Sequence, residues 1–250
     1  MKYNLAFKYR IYPNKEQELL INKTFGCVRF VYNTILYTAN KIYEETGKNK
    51  IITPASLKSE NQFLKEVDSL ALSNAQLNVK RSFTNFFQKR AKFPKFKSKK
   101  TSVKSYTTNC VNNSIWIEEN KYLILPKLKK VKLKYHREIP KDYRIKSVTL
   151  TNSNGNYYVS ILTEFEKEIQ KIPSNDKVIG LDFSMSELFI SSENQRADYP
   201  RYFRMLEKKL KKLQKSLSRK VKFSKNWYKQ KIENIKIAWI YQKLSKGFFA

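Results

Sequence analysis

The sequence predicts an α+β protein in which antiparallel strands frame a helical bundle, followed by a second, smaller α/β unit. Three observations carry this. Apolar and polar side chains alternate with period two in Lys2–Tyr12 and again in several runs between 114 and 166. Between those regions, apolar residues recur at helical spacing from about Asn14 to Gln88. After Pro173-Ser174-Asn175-Asp176, a compact β-branched run gives way to two basic segments of helical periodicity.

Each element has a local cause. Lys2–Tyr12 is a half-buried strand ended by Pro13. Asn14 with Gln17 three residues on forms a capping box that starts a helix, whose apolar face runs through Leu19, Leu20, Thr24, Cys27, Val28, Val31, Tyr32, Ile35 and Leu36. Gly26 interrupts this pattern, so the segment is either one bent helix or two short ones with a turn; Gly47 closes it. A second helical block runs from about Pro54 to Gln88, with Leu57, Phe63, Leu64, Val67, Leu70, Leu72, Leu77, Val79, Phe83, Phe86 and Phe87 as its apolar stripe. The tract QKRAKFPKFKSKKTSVKS then lacks any acid. Beyond it, SIWIEENKYLILPKL, VKLKYHREIP, RIKSVTLT and NYYVSILTEF read as an antiparallel barrel or strongly curved sheet, the last two joined by a hairpin at Asn152-Ser153-Asn154-Gly155. KVIGLDFS and ELFISS are the strands of the last unit, and FRMLEKKLKKLQKSLSRK and NWYKQKIENIKIAWIYQKL its helices. Two strands and two helices leave an α/β sheet uncovered, so this unit reads as unfinished.

Composition points to a polyanionic partner. Fifty-one Lys and Arg against 21 Asp and Glu give a formal charge of +30 over 250 residues. Self-repulsion of that size disfavours a compact state unless nucleic acid neutralises it. A hydrophobic fraction of 41%, with 16 Tyr and 16 Phe, still supplies real cores. No apolar run is long enough to span a bilayer, and no membrane partner is expected. Cys27 and Cys110 stand far apart with no CxxC, which excludes a zinc ribbon and suits a reducing, cytoplasmic compartment.

Few residues can carry chemistry. Asp182 ends an apolar-apolar-Gly-apolar-Asp strand, where a carboxylate can ligate Mg²⁺; the same residue type at a strand end also forms turns and caps helices. Glu187, Glu193 and Asp198 read as solvated turn residues of the adjoining hairpin or the following loop, and His136, the single histidine, as a surface residue. The basic-aromatic tract has two readings: a solvated connection, or a strip in which Lys89, Arg90, Lys92, Lys95 and Lys97 meet phosphates while Phe93 and Phe96 stack or anchor. Lys208, Lys212, Lys215 and Arg219 give the first basic helix a second candidate face.

The order of eight segments carries a resemblance. YRIYPNKEQELLINKTFGCVRFVYN, LKEVDSLALSNAQLNVKRSFTNFF, KFPKFKSKK, SYTTN, LPKLKKVKLKYHREIP, YYVSIL, VIGLDFSM and KLQKSLSRK, in that order, resemble the OrfB/TnpB proteins of bacterial insertion sequences, compact relatives of type V CRISPR effectors. The resemblance implies a wedge-like β-barrel domain from 1–13 plus 93–172, a helical recognition lobe over 14–92 with a helix-turn-helix at 14–46, and the beginning of an RNase H-like (RuvC) α/β domain over 177–250. It implies a guide RNA copied from the element's end and a double-stranded DNA target as partners, and a link to transposition and DNA recombination. Ile52, Ser56, Ser69, Leu70, Ser73, Val111 and Asn112 align with positions that read the target-adjacent motif. Asp182 takes the place of the first catalytic carboxylate and of a Mg²⁺ ligand. The other two carboxylates and the family's zinc ribbon have no counterpart, so the chain is expected to be C-terminally truncated and deficient in cleavage. A nuclease-dead RNA-guided repressor and a non-functional pseudogene product are the alternatives; the oligomeric state is left open.

Overall fold

The computed structural model describes all residues except 49, 101, 169–177, 184–186, 199–201 and 247–250; for 187, 188, 198, 202–205 and 241–246 it describes the backbone alone. The chain divides into two compact units, Met1–Ile169 and Gln170–Ala250. The linker expected at Pro173–Asp176 lies outside the described residues.

The first unit is a mixed α/β body built on a seven-stranded antiparallel sheet. Its strands are β1 (Lys2–Tyr12), β2 (Lys104–Asn109), β3 (Trp116–Glu118), β4 (Tyr122–Leu125), β5 (Lys129–Lys134), β6 (Arg144–Ser153) and β7 (Asn156–Glu166), in the order β2-β6-β7-β1-β5-β4-β3. β1 is central, paired with β7 from Lys2↔Glu166 to Ile11↔Tyr157 and with β5 through Ile11↔Leu133. The alternation works as expected: Phe7, Tyr9 and Ile11 are buried while Lys8 and Arg10 face solvent. The β6–β7 hairpin turns at Asn154 (φ 54°) and Gly155 (φ 81°), the two positive φ values a type I′ turn demands. The sheet is curled but open, with β2 and β3 as its edges, so the expected barrel is not closed by hydrogen bonds. The segment 93–103 assigned to that barrel precedes the first strand of the sheet's second part.

Two long helices cover the inner face. α1 (Lys15–Thr46) starts in the capping box: the Gln17 N–H donates to Asn14 Oδ1, and the Asn14 N–H to Gln17 Oε1. Gln17 Nε2 then donates to the carbonyls of Leu128 and Lys130, Asn22 Nδ2 to the Tyr157 hydroxyl, and the Phe25 ring packs edge-on against Tyr106 at 5.7 Å. These contacts reach β5, β7 and β2 in turn, across a stretch that rises only about 12 Å along the helix. The curl of the sheet brings all three strands within reach.

Of the two readings at Gly26, the turn, which the helix-turn-helix implied over 14–46 also needs, does not occur. α1 is one continuous helix of 32 residues, closed by Gly47 in the left-handed conformation (φ 65°). Phe25, Cys27 and Val28 on either side of Gly26 are buried, so tertiary packing holds the helix through its weakest residue. The second helical block does break. It divides into α2 (Pro54–Glu60), a 3₁₀ turn (Gln62–Lys65) and α3 (Ser69–Phe87). The divider is Asp68, whose Oδ1 accepts the Leu70 N–H as an N-cap. Its Oδ2 accepts from the buried Thr108 hydroxyl, which fastens the start of α3 to edge strand β2. Leu64, Leu72, Val79, Leu123, Val148 and Val159 are among the fully buried residues of the shared core, each contributing about 1.5–3 kcal/mol on burial. Burial also pushes the Cys27 thiol up from its ordinary value.

The second unit contains a three-stranded antiparallel meander, β8 (Leu181–Asp182), β9 (Glu187–Ser191) and β10 (Arg196–Asp198), then α4 (Tyr202–Ser218) and α5 (Lys225–Lys246). The third strand was not foreseen. No described helix is long and apolar enough to cross a membrane.

A substitution separates the continuous helix from the broken one. A Cβ added at Gly26 meets no atom within 4 Å. Gly26→Ala is therefore expected to raise unfolding stability by about 0.5–1 kcal/mol in urea denaturation. Destabilisation would mean that the chain turns there.

Candidate nucleic-acid interface

The basic tract begins where α3 stops. Lys89 takes a left-handed conformation (φ 59°), and the Arg90 and Ala91 N–H groups return to the Asn85 carbonyl at 2.8 and 3.2 Å. The chain then doubles back and is pinned twice. Phe93 packs edge-on against Phe83 and Phe86 at 5.9 and 5.2 Å, beside the buried Pro94. Lys97 is held through its backbone, its N–H donating to Asn33 Oδ1 (2.8 Å) and its carbonyl accepting from Asn33 Nδ2 (2.9 Å). Its ammonium lies 4.0 Å from the centre of the Tyr32 ring, and burial lowers its pKa.

The five predicted cations therefore separate. Lys89, Arg90, Lys92 and Lys95 are exposed, as is Phe96, whereas Lys97 is turned onto α1. Phe93 anchors the strip. Two acids of the sheet are paired within it: Glu118 with Lys130, and Glu164, whose carboxyl the Lys146 ammonium at 2.9 Å holds below its usual range.

The positions aligned with motif reading lie on connected elements. The Ser56 hydroxyl donates to the Thr53 carbonyl in the first turn of α2. Lys58 Nζ donates to Ser69 Oγ at 2.8 Å, which ties α2 to α3, and the Ser73 hydroxyl returns to the Ser69 carbonyl. Gln76 Nε2 holds the Ile52 carbonyl. Asn74 Nδ2 donates to the Thr107 carbonyl, so α3 lines the strand that leads to Val111 and Asn112. Asn112 (φ 50°) sits in the turn closed by the Ser114 N–H on the Val111 carbonyl. Ser56, Ser69, Ser73 and Asn112 are exposed. The anchors Asp68, Asn74 and Thr108 went unnoticed in the sequence; only Asp68, followed by a helical run, carried a local signal.

In the second unit Asp182 is exposed and pairs with Ile190 across β8 and β9. The Gly180 N–H donates to Ser192 Oγ at 3.2 Å. Glu187 and Asp198 occupy opposed positions of β9 and β10. Among the described residues no group of three His, Cys, Asp or Glu side chains could hold a metal ion. The described side chains do not fit the expected Mg²⁺ site, and Asp182 alone does not make one. His136 is exposed, with Nδ1 3.2 Å from the Lys134 carbonyl.

On α4, Leu206, Leu210, Leu213 and Leu217 are partly buried and the lysines exposed. The helix pairs with α5 through Ser216 and Gln230, and through Asn234 Nδ2 on the Leu213 carbonyl. Lys212, Lys215 and Arg219 line one groove of about 420 Å³ together with Ser216 and Lys220. Lys208 lies one turn earlier on the same face.

Comparison with known proteins reaches both units. Residues 1–48 match the OrfB/IS605 family model described as "Helix-turn-helix domain", and residues 160–246 the one described as "Probable transposase". The chain is 34% identical over 240 residues to "Putative RNA-guided DNA endonuclease InsQ" of Escherichia coli (strain K12), covering 92% of this chain and 58% of that protein. It is 32% identical over 230 residues to a "Putative RNA-guided DNA endonuclease" of Streptomyces pristinaespiralis, covering 88% and 56%. The chain thus spans little more than half the length of these relatives. Among solved structures it resembles the protein of a Cas12f1–sgRNA–target DNA complex at 12% identity and a TM-score of 0.35, covering 98% of this chain and 66% of that one.

Lys95 and Lys97 give a paired test of the strip. Lys95→Ala is expected to flatten the plot of log affinity for duplex DNA against log salt by about 0.9, one phosphate contact, with an unchanged Tm. Lys97→Ala is expected to lower Tm, through loss of a cation–π contact of about 1 kcal/mol, and to leave the slope alone. Equal effects of the two would contradict the division.

Proposed function

The chain belongs to the OrfB/TnpB family of insertion-sequence proteins, and from that premise we propose that these 250 residues bind a guide RNA and a double-stranded DNA target without cutting it. The single observation that carries the reading is the charge of +30, with its exposed cations gathered on the 89–95 strip and on α4.

The chemistry is that of counterion release. Lys89, Arg90, Lys92 and Lys95 on the first unit, and Lys208, Lys212, Lys215 and Arg219 on the second, track phosphates; such contacts set affinity and carry no sequence information. Sequence is then read by base pairing of the RNA, and by Ile52, Ser56, Ser69, Leu70, Ser73, Val111 and Asn112 at the duplex beside the target. Asn112 apart, those side chains are small or apolar, and the three serine hydroxyls are already engaged in local hydrogen bonds. Contact there is by shape and close approach, with the exposed Asn112 as the one side chain of the set suited to bidentate reading of a base edge.

The meander β8–β10 followed by α4 and α5 is read as the opening of an RNase H-like domain, with Asp182 at its first carboxylate position. Nucleases of this type use Mg²⁺ to activate water and stabilise the leaving oxygen. Among the described residues Asp182 belongs to no group of three His, Cys, Asp or Glu side chains that could hold a metal ion, and cleavage is not assigned to these residues. A cytoplasmic setting, where transposon DNA and its transcripts meet, suits the proposal.

The test is direct. The purified chain is mixed with RNA copied from the element's end, a matching duplex and Mg²⁺, and retention and cleavage are followed on gels. Retention of RNA and of matched duplex, without cleavage, is expected. Guided cleavage lost in Asp182→Ala would overturn the inactive reading, and failure to retain RNA would overturn the binding one.

A further inference from the structure

One feature of the first unit is unused by backbone contacts. At the C-terminal end of α3, four phenylalanines form a stepped cluster. Phe83 is its buried base, at 8% exposure. Phe87 lies parallel to it at 6.5 Å, Phe86 packs against Phe87 at 5.3 Å, and Phe93 closes the group edge-on. Phe87 is 67% exposed, more than any other Phe described in this unit. Beside it opens a groove of about 460 Å³, lined by Ile51, Lys80, Phe83, Thr84 and Phe87. An exposed aromatic of this size, with a groove at its edge, is costly to leave in water and marks a contact site.

The charge around it selects the partner. Residues 69–117 contain no Asp or Glu, while Lys80, Arg81, Lys89, Arg90, Lys92 and Lys95 stand on α3 and on the turn that follows it. A second protein's apolar helix would bring no charge to offset these cations. A nucleotide brings both parts, a planar base for the ring and a phosphate for the lysines. Duplex DNA buries its base faces in the stack and can meet only the lysines, whereas single-stranded RNA has faces to offer.

We infer that Phe87 is a stacking platform for an unpaired base of single-stranded RNA, with Lys80 at the groove taking the adjoining phosphate. The inference rests on the RNA-binding reading above and adds a place and a mode to it. Stacking is indifferent to base identity, so the platform fixes the path of the strand and leaves sequence to pairing.

The test uses the full chain and a short unstructured RNA, with single-stranded DNA and duplex DNA of matched length as further probes. Phe87→Ala is expected to weaken RNA binding on the order of 10-fold, with an unchanged salt slope and unchanged duplex affinity. Phe87→Trp should retain affinity, and its added fluorescence should be quenched on mixing with RNA. An RNA affinity unaffected by Phe87→Ala, or an equal loss for duplex, would overturn the platform while leaving RNA binding intact. A greater loss for single-stranded DNA than for RNA would overturn the choice of RNA. Self-association of the wild-type chain that Phe87→Ala abolishes would assign the surface to a second copy instead. Wild-type chain that binds no RNA would overturn both readings.

Discussion

Unbalanced positive charge is the constraint to which the rest of the molecule answers. Thirty net charges in 250 residues repel one another, and the few exposed ion pairs, such as Lys2 with Glu166 or Lys41 with Glu45, offset little of it. The fold has to be held by apolar burial, and the cations have to sit where water and counterions screen them. The first unit does this through one-sided strands. On β1, Phe7, Tyr9 and Ile11 face the core while Lys8 and Arg10 face out, Lys8 over the Tyr158 ring and Arg10 on Asn156.

The same constraint explains where polar side chains are spent inside. Asp68 is the one acidic residue buried in the first unit's described core, and it is used twice, as helix cap and as partner of Thr108. Asn33 and Asn74 likewise satisfy backbone groups of distant segments. Neutral or capped polar groups do the fastening, which leaves the lysines at the periphery. Lys97 departs from this, and its lowered pKa records the desolvation that departure brings.

Whatever was decided locally was legible in the sequence. The limits of β1, the Asn14–Gln17 capping box, the Gly47 cap and the Asn154-Gly155 turn depend on neighbours a few residues away. Continuity of α1 through Gly26 was not legible, because it depends on contacts distant in sequence, such as Phe25 with Tyr106 on β2. Lys97 could not be told from Lys95, since its place is set by Tyr32 and Asn33, about 64 residues upstream. The open edges of the sheet were hidden for a similar reason: alternation reports a buried face and is silent on closure. In the site, the exposed cations of the strip were evident from composition. The aromatic step under Phe87 was not: three of its rings share the end of α3, but Phe93 joins them only after the chain reverses at Lys89.

The proposed function gives this charge a nucleic-acid partner, and the account stands on the coupling between that partner and the fold. Nucleic acid that neutralises the exposed cations must stabilise the folded chain, and salt must compete with it. The decisive measurement is therefore the Tm of the 250-residue chain with and without a short RNA, across a salt series. The account predicts a rise in Tm with RNA at low salt that fades steadily as salt is added, while the free chain gains stability from salt through screening. An RNA effect that is absent, or that persists unchanged at high salt, would contradict it.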